Sequence, residues 1–317
     1  MSDDGSQYYS LTGKRVWVNG YRGMVGQALV RRLETIDCEI LKTTSDDLDL
    51  RRQADAEDWM NDSKPEAVFL CAATVGGIMA NDTRPAEFLY DNLAIEANVI
   101  HGAWRAGVEK LLYLGTGCMY PREAPQPIPE DCLLTGPLEP TNEWYAVAKI
   151  AGLKMCQAYR RQYGCDFITA LPTNLYGPGD NFDPQDSHVI PALIQKAHAA
   201  KTEGAKSMEV WGSGAPLREF LYVDDAAEIL VFLMQTYSEE AHINVGLGKE
   251  LSIREVAESI IHVVGFEGEL VFNTEKPDGM PRKLLDAKRL SQLGQSSAIS
   301  LEDGLHKTYA WFLENIA

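Results

Sequence analysis

The sequence lacks the features that mark membrane, disulfide-stapled and nucleic-acid-binding proteins. No uninterrupted apolar run reaches the length of about 18 residues that a membrane-spanning helix needs. None of the six cysteines forms a CxxC pair, and no spacing indicates a metal site, so the thiols favour a reducing, cytoplasmic location. The formal net charge of −17 argues against nucleic acid and anionic membranes as partners. Anionic ligands therefore need local basic groups and helix N-termini.

The size and composition are typical of a globular protein with one large domain or two modest ones. The 317 residues are 45% hydrophobic and 24% charged, which is ordinary for a folded chain. The first residues are acidic and lack the basic and apolar regions of a secretory signal. They predict a short disordered tail over residues 1–10.

A strand, a glycine-rich turn and a helix follow one another near the N-terminus. The run Arg15–Asn19 leads into Gly20-Tyr21-Arg22-Gly23-Met24-Val25-Gly26, and a helical stretch follows to Leu33. This order is typical of the opening of a Rossmann unit, in which glycines let the backbone approach a pyrophosphate at a helix N-terminus. The spacing is GxxGxxG rather than GxGxxG, and a tight turn without a ligand is the alternative.

The end of the second predicted strand indicates which dinucleotide binds. NAD-preferring folds often place an acidic residue there, against the ribose hydroxyls. This chain has Lys42-Thr43-Thr44-Ser45 instead, and acids begin only at Asp46. Arg22, inside the glycine turn, can face a 2′-phosphate. The sequence therefore predicts NADP(H) as cofactor, and a solvated loop residue is the alternative for Arg22.

Strands and helices alternate along the first half of the chain. Apolar runs at 67–73, 110–115 and 167–171 are typical of buried parallel strands, and predicted helices at 85–106 and 145–163 separate them. The alternation predicts an α/β fold, a Rossmann-type doubly wound parallel sheet with a smaller C-terminal α/β substrate-binding domain. The predicted NADP-binding domain comprises residues 11–173 and 219–242, and the predicted substrate-binding domain comprises residues 174–218 and 243–317.

Tyr145 and Lys149 stand four residues apart in a predicted helix. Positions i and i+4 share a helix face. A nearby ammonium favours the phenolate and lowers the pKa of the phenol from its ordinary value near ~10. The pair could donate a proton to a carbonyl oxygen as a hydride reaches its carbon. A solvated tyrosine and lysine on a helix surface is the alternative.

These motifs together resemble the extended short-chain dehydrogenase/reductases, and within them the GDP-L-fucose synthase family. The resemblance covers nearly the whole chain and implies NADPH-dependent 3,5-epimerisation and 4-keto reduction of GDP-4-keto-6-deoxy-D-mannose. Members of this family pair as homodimers through the two long helices that flank the sheet. The stretches that carry the resemblance are 20–26, 74–78, 139–146, 172–178, 187–193 and 276–284.

The resemblance implies a role for individual residues of this chain, and it implies no metal. The implied catalytic residues are the triad Thr116, Tyr145 and Lys149 and the acid/base pair Cys118 and His188. The implied cofactor-binding residues are Gly20, Arg22, Gly23, Met24, Val25, Gly26, Asp49, Leu50, Ala72, Ala73, Tyr145, Lys149, Pro172, Asn174, Leu175 and His188. The implied substrate-binding residues are Val75, Gly76, Gly77, Asn174, Val189, Trp211, Arg218, Asp278 and Lys283.

The implied epimerisation follows ordinary acid/base chemistry. A C4 ketone acidifies the protons at C3 and C5. A cysteine, with an ordinary pKa near ~8.5, is a workable base if a cation or dipole favours its thiolate. A histidine, titrating near ~6.5, suits reprotonation of the other face. The alternatives are a packing role for Cys118 and a structural role for His188.

Two departures from the family pattern keep other functions open. Thr116-Gly117-Cys118 stands where the family usually has Ser-Ser-Cys, and Thr74 stands where a lysine is common. Because Gly117 neighbours the expected sugar, a GDP-L-colitose synthase, which epimerises only C5 of a 3-deoxy sugar, is an alternative. A non-catalytic NADP-binding sensor is another, but such a protein would not need the tyrosine, lysine, cysteine and histidine together.

Overall fold

Six parallel strands form the central sheet of the computed structural model, which describes residues 8–183, 187–276, 278–296 and 298–317, with the backbone alone at Ile78. Most of the predicted tail, residues 1–7, lies outside the described residues. The strands are β1 Arg15–Asn19, β2 Glu39–Thr43, β3 Ala67–Leu70, β4 Lys110–Leu114, β5 Asp166–Pro172, β6 Asn174–Tyr176, β7 Ser207–Trp211, β8 Leu217–Arg218, β9 Phe220–Tyr222, β10 Ile243–Val245, β11 Leu251–Ser252, β12 Glu269–Asn273 and β13 Arg282–Lys283. The helices are α1 Met24–Leu33, α2 Gln53–Ser63, α3 Ile78–Thr83, α4 Pro85–Arg105, α5 Glu143–Tyr163, α6 Val189–Thr202, α7 Val223–Thr236, α8 Ile253–Val264, α9 Lys288–Gln292 and α10 Leu301–Asn315.

The order of the strands places a ligand crevice at one edge of the central sheet. That order is β10-β5-β4-β3-β1-β2, and every neighbouring pair is parallel. The order reverses at β1, because the chain moves outward to β2 and then back past β1 to β3. Open α/β sheets bind ligands at the carboxyl ends of the strands beside such a reversal. The predicted Rossmann-type doubly wound fold is confirmed.

Helices cover both faces of this sheet. All four residues of β3 are buried, as a continuous apolar run predicts for a strand covered on both faces. On one face α1 and α7 pack together over a core that includes Leu29 and Leu230. On the other face α2, α4 and α5 pack over a core that includes Leu111 and Leu153. The central strands of the sheet are therefore shielded from solvent, whereas no residue of the edge strand β2 is fully buried.

The remaining elements form a smaller layer beside the carboxyl ends of the sheet. Helices α6, α8 and α10 share a core that includes Ile194, Val256 and Phe312. Strands β7 and β12 pair in parallel, and β8 lies between β11 and β13 in a short sheet. In the described parts of the chain, no helix is long and apolar enough to cross a membrane.

One predicted boundary is wrong. The sequence division assigns residues from 243 onward to the smaller domain, but Ile243–Val245 is the edge strand β10 of the central sheet and pairs with β5. A three-residue strand is too short to show a periodic pattern, so periodicity could not predict it. The rest of the division into two domains stays a prediction.

Candidate active site

A cleft of about 840 Å³ opens at the carboxyl ends of the central strands. Its walls come from the turns after β1, β2, β3 and β4, from the segment that follows β5, and from the start of α6. A volume of this size suits a nucleotide-sized ligand. Among the described residues, no group of three or more histidine, cysteine and acidic side chains could hold a metal ion.

The glycine turn forms the floor of the cleft under the first strand. Gly20 has φ +77°, a left-handed conformation that favours glycine. A Cβ on Gly26 would lie 2.2 Å from the Gly20 carbonyl oxygen, so only glycine lets α1 begin this close to the turn. Helix α1 starts at Met24 and presents unpaired backbone N–H groups to the cleft. This cradle fits a dinucleotide pyrophosphate.

Basic side chains lie at the end of the cleft beside β2. Arg22 is exposed and pairs with Asp46 at 3.5 Å. Thr44 and Ser45 line the cleft there in place of an acid, which suits a 2′-phosphate. Arg51 also lines the cleft and pairs with Asp49 at 2.9 Å. The sequence analysis missed Arg51, because a lone arginine opening a helix has no motif around it.

The predicted pair Tyr145 and Lys149 does share α5 and the cleft wall, but a third residue changes its electrostatics. The Lys149 ammonium is buried and lies 3.1 Å from the carboxylate of Glu96, on α4. It also lies 4.2 Å from the ring centroid of Tyr113. Burial, together with the charges of Cys118 and Glu96, raises the pKa of Tyr145. The lowering of this pKa that the sequence predicted from Lys149 is therefore not seen. The Lys149 ammonium forms an ion pair with Glu96 instead.

Cys118 lies in a 3₁₀ turn directly after β4, in hydrogen-bond contact with two other predicted residues. The Lys283 ammonium donates a hydrogen bond to Cys118 Sγ at 3.3 Å, and the backbone N–H of Cys118 donates to the Thr116 hydroxyl at 3.3 Å. Burial opposes the thiolate, but Lys283, Thr116 and the charge of Arg218 together lower the pKa of the thiol below its ordinary value. The cation that the sequence argument required for a cysteine base is present.

His188 lines the same cleft from a different element, at the residue before α6. Its side chain is open to the cleft, and desolvation by the surrounding walls lowers the pKa of the imidazole. Neutral imidazole therefore predominates at neutral pH in the ligand-free protein. Asp180 also lines the cleft and is buried, and burial raises its pKa to about 7. Among the described residues, one of its carboxylate oxygens has no hydrogen-bond partner.

Most of the residues predicted for the site meet in this one cleft, and three do not. Trp211 is 57% exposed, at the end of β7. Arg218 is half-buried in β8, and Asp278 accepts hydrogen bonds from Ser213 at 2.9 and 2.7 Å. The predicted residues that line the cleft are Gly20, Arg22, Gly23, Met24, Val25, Gly26, Asp49, Leu50, Ala72, Ala73, Val75, Gly76, Gly77, Thr116, Cys118, Tyr145, Lys149, Pro172, Asn174, Leu175, His188, Val189 and Lys283.

Two lysines that the sequence analysis missed flank the exposed indole. The ammonium of Lys196 lies 4.8 Å from the ring of Trp211, and that of Lys276 lies 5.2 Å from it. Lys196 stands two turns into α6, on the helix that His188 precedes. An aromatic ring between two cations suits a planar base that carries phosphates. The position of Lys196, two turns after His188 along α6, was the signal that the sequence offered.

Comparisons with known proteins agree with this geometry. The NAD dependent epimerase/dehydratase family matches residues 16–246. The chain is 57% identical to a GDP-L-fucose synthase from Sinorhizobium fredii, over 98% of both chains, and 55% identical to GDP-L-fucose synthase 1 from Arabidopsis thaliana, also over 98% of both. It is 38% identical to a GDP-L-colitose synthase from Yersinia pseudotuberculosis, over 94% of this chain and 98% of the other.

Solved structures give the same result. A GDP-L-fucose synthetase from Naegleria fowleri bound to NADP matches with a TM-score of 0.91 and 31% identity, over 98% of both chains. A GDP-mannoheptose C4 reductase from Campylobacter jejuni with NADP bound matches with a TM-score of 0.89 and 38% identity, over 96% of this chain and all of the other.

Proposed function

Because the chain belongs to the NAD dependent epimerase/dehydratase family, we propose that it converts GDP-4-keto-6-deoxy-D-mannose to GDP-L-fucose with NADPH. The observation that carries this proposal is the meeting, in one cleft, of a cation-paired cysteine, a histidine and a tyrosine beside a dinucleotide cradle. The 57% identity to a GDP-L-fucose synthase over nearly the whole chain supports the sugar. The lower identity of 38% to a GDP-L-colitose synthase makes the 3-deoxy sugar the second candidate.

NADPH would lie along the cleft from the glycine turn to Tyr145. The N–H groups at the start of α1 would hold the pyrophosphate, and Arg22 with Thr44 and Ser45 would face the 2′-phosphate. When bound, NADPH supplies the hydride that reduces C4. The tight backbone packing at Gly20 and Gly26, where a Cβ would collide with neighbouring backbone atoms, is the feature of this chain that lets the turn approach such a ligand.

Cys118 and His188 would carry out the epimerisation. The Cys118 thiolate takes a proton from C3 or C5, the C–H electron pair forms a carbon–carbon double bond, and the C4 carbonyl becomes an enolate oxygen. The Thr116 and Tyr145 hydroxyls can donate hydrogen bonds to that oxygen. Protonated His188, which lines the cleft from the start of α6, would return a proton to the other face of the carbon. The lowered pKa of His188 makes its protonated form a stronger acid but a scarcer one at neutral pH.

Tyr145 would complete the reduction. Its raised pKa keeps the phenol protonated at neutral pH, so it can give its proton to the C4 oxygen as the hydride arrives. Lys149, next along the same face of α5, would then be the neighbouring positive charge that stabilises the developing phenolate. The nucleotide end of the substrate would reach the group formed by Trp211, Lys196 and Arg218.

Ring deuteration separates the two half-reactions. In D₂O with GDP-4-keto-6-deoxy-D-mannose, wild type should introduce deuterium at C3 and C5 and oxidise NADPH. Cys118→Ser should stop deuteration, because a serine hydroxyl is far too weak an acid to form the base, while NADPH affinity is retained. Tyr145→Phe is the matched variant, and it should lower reduction by roughly 10²–10⁴-fold while deuteration continues. If Cys118→Ser introduced deuterium to the same extent as wild type, the base would be another residue.

The same assay distinguishes the alternatives. Turnover of the 3-deoxy sugar in preference to the 6-deoxy sugar would establish the colitose reaction. NADPH binding without loss of its near-ultraviolet absorbance on either sugar would establish a sensor and overturn the proposal.

We also infer a cytoplasmic homodimer. The six free cysteines fit a reducing compartment. Helices α4 and α5 leave Tyr90, Trp144, Val147 and Tyr163 between 40% and 67% exposed, which is a large apolar area for a free surface. Ile100 and Leu153, on the same two helices, are fully buried in the monomer core and are excluded from such an interface.

A further inference from the structure

The Lys283 ammonium lies against a sulfur rather than against a carboxylate. Its neighbour Arg282 pairs with Glu250 at 2.7 Å, and Lys288 pairs with Asp286 at 3.4 Å. Within the described residues no ion pair joins Lys283 to a carboxylate, and its hydrogen bond of 3.3 Å goes to Cys118 Sγ. We propose that Lys283 is the positioning residue that holds Cys118 as a thiolate and that Gly117 provides the space in which it does so.

The two partners come from different parts of the fold. Cys118 follows β4 of the central sheet, and Lys283 ends β13 of the short sheet in the smaller layer. Strand β13 runs parallel to β8 with Lys283 opposite Arg218, so two cations of adjacent strands act on the same thiol. The thiolate is therefore favoured only when the smaller layer is seated against the sheet.

Gly117 accounts for the close approach of the lysine chain. A Cβ at this position would lie 3.2 Å from Lys283 Cε and 3.7 Å from its Nζ. The first distance is tighter than ordinary van der Waals contact, so a side chain here requires the end of the lysine to shift by a few tenths of an ångström. A serine, the residue that the family pattern has at this position, would add a hydroxyl in the same space. The glycine thus belongs to the thiol's activation rather than to sugar choice alone.

The groups that shift the pKa of the thiol act in known directions. Lys283 and Arg218 favour the thiolate, as does the hydrogen bond involving Thr116, while burial opposes it. The neighbouring Tyr145 is protonated at neutral pH and adds no negative charge there. Removal of Lys283 therefore leaves burial opposed by Arg218 and Thr116 alone.

The test is the pH dependence of iodoacetamide alkylation at Cys118 in the ligand-free protein, read by peptide mass spectrometry so that the other five cysteines are counted separately. Wild type should show a midpoint below that of an ordinary thiol, near ~8.5. Lys283→Met should raise this midpoint by about one unit or more, which lowers the rate at neutral pH about tenfold. Lys283→Arg should keep most of the lowering, and Lys288→Met, a surface lysine nearby, should change nothing.

Gly117→Ser tests the second half of the proposal without removing the lysine. Its midpoint should lie between those of wild type and Lys283→Met. Equal midpoints in wild type and Lys283→Met would overturn the proposal. A raised KM for the GDP-sugar in Lys283→Met with an unchanged midpoint would also overturn it, since Lys283 would then serve only to bind substrate.

The pairing of Lys283 with the Cys118 thiolate does not depend on the proposed function. Only its consequence, that Lys283 supports proton removal from the sugar, rests on that function. Lys283→Met should shift the pH profile of ring deuteration upward by the same amount as the alkylation midpoint. Because alkylation needs no sugar, a shifted midpoint in a protein that deuterates neither sugar would leave the thiolate pairing intact and reject the proposed function instead.

Discussion

At the residue scale, burial and local charge decide the protonation state of each side chain around the cleft. Burial raises the pKa of Tyr145 and of Asp180 and lowers that of His188. Cys118 differs, because two cations and a hydroxyl outweigh its burial. The cleft thus keeps the phenol protonated and makes the thiol more acidic, which favours the two states that reduction and proton abstraction need.

Asp180 gives a direct test of this electrostatic description. Its pKa is about 7 in the folded protein and near ~3.9 when unfolded, so the folded state binds more protons between these values. Stability should therefore fall as pH rises from about 4 through 7. Asp180→Asn removes that loss and should be more stable than wild type above pH 7 by roughly 2–4 kcal/mol, with no difference below pH ~4.

Urea unfolding of both proteins at a series of pH values measures the difference. Asp62→Asn, on the exposed face of α2, is the control and should follow wild type throughout. Stability curves for wild type and Asp180→Asn that run parallel across this pH range would show that Asp180 is ionised at its ordinary pKa.

At the scale of single elements, sequence spacing predicted what lies within a helix but not what lies across two. The spacing of Tyr145 and Lys149 correctly placed both on α5. It could not show that Glu96, on α4, lies 3.1 Å from the lysine, because that contact depends on how the helices pack. Helices α4 and α5 approach each other closely at Gly152, where a Cβ would lie 2.6 Å from Glu96 Oε2. The sequence likewise offered no signal for the short strand β10.

Glu96→Gln should separate the two roles of this buried carboxylate. The charge of Glu96 raises the pKa of Tyr145, so its removal should move the alkaline limb of the kcat profile for reduction to lower pH. It also leaves the buried Lys149 ammonium without its partner, which should cost about 3–5 kcal/mol of unfolding free energy.

The exposed Glu87 on the same helix offers a matched control. It pairs with Arg84 at the surface at 3.4 Å, so Glu87→Gln should change stability by less than about 1 kcal/mol and leave the pH profile in place. If Glu96→Gln lowered stability without any move of the alkaline limb, Glu96 would be a packing residue with no influence on Tyr145.

At the scale of the whole molecule, the acidic surface and the basic cleft act in opposite directions on an anionic substrate. A net charge of −17 repels a GDP-sugar and NADPH at long range. Arg22, Lys196, Arg218 and Lys283 counter it locally, and they belong to widely separated segments of the chain. Sequence reasoning pointed to Arg22, Arg218 and Lys283, whereas Lys196 was found only in the structure, beside Trp211.

The oligomeric state is also a property of the whole molecule, because it depends on the apolar surface that the folded chain leaves exposed. A stable homodimer buries roughly 1,200 Å² or more in total and is more apolar at its centre than a free surface. The exposed tyrosine and valine at Tyr90 and Val147, on α4 and α5, would be buried if two copies pair through these helices. Wild type should therefore sediment at micromolar concentration with twice the mass of the 35.1 kDa chain, and Tyr90→Asp with Val147→Asp should shift it to monomer because both add negative charge to the interface. Leu313→Asp, at a 45% exposed apolar position on α10, is the control and should remain a dimer. A wild-type mass equal to one chain would contradict the inference, and a double variant that stays dimeric would assign the interface to another face.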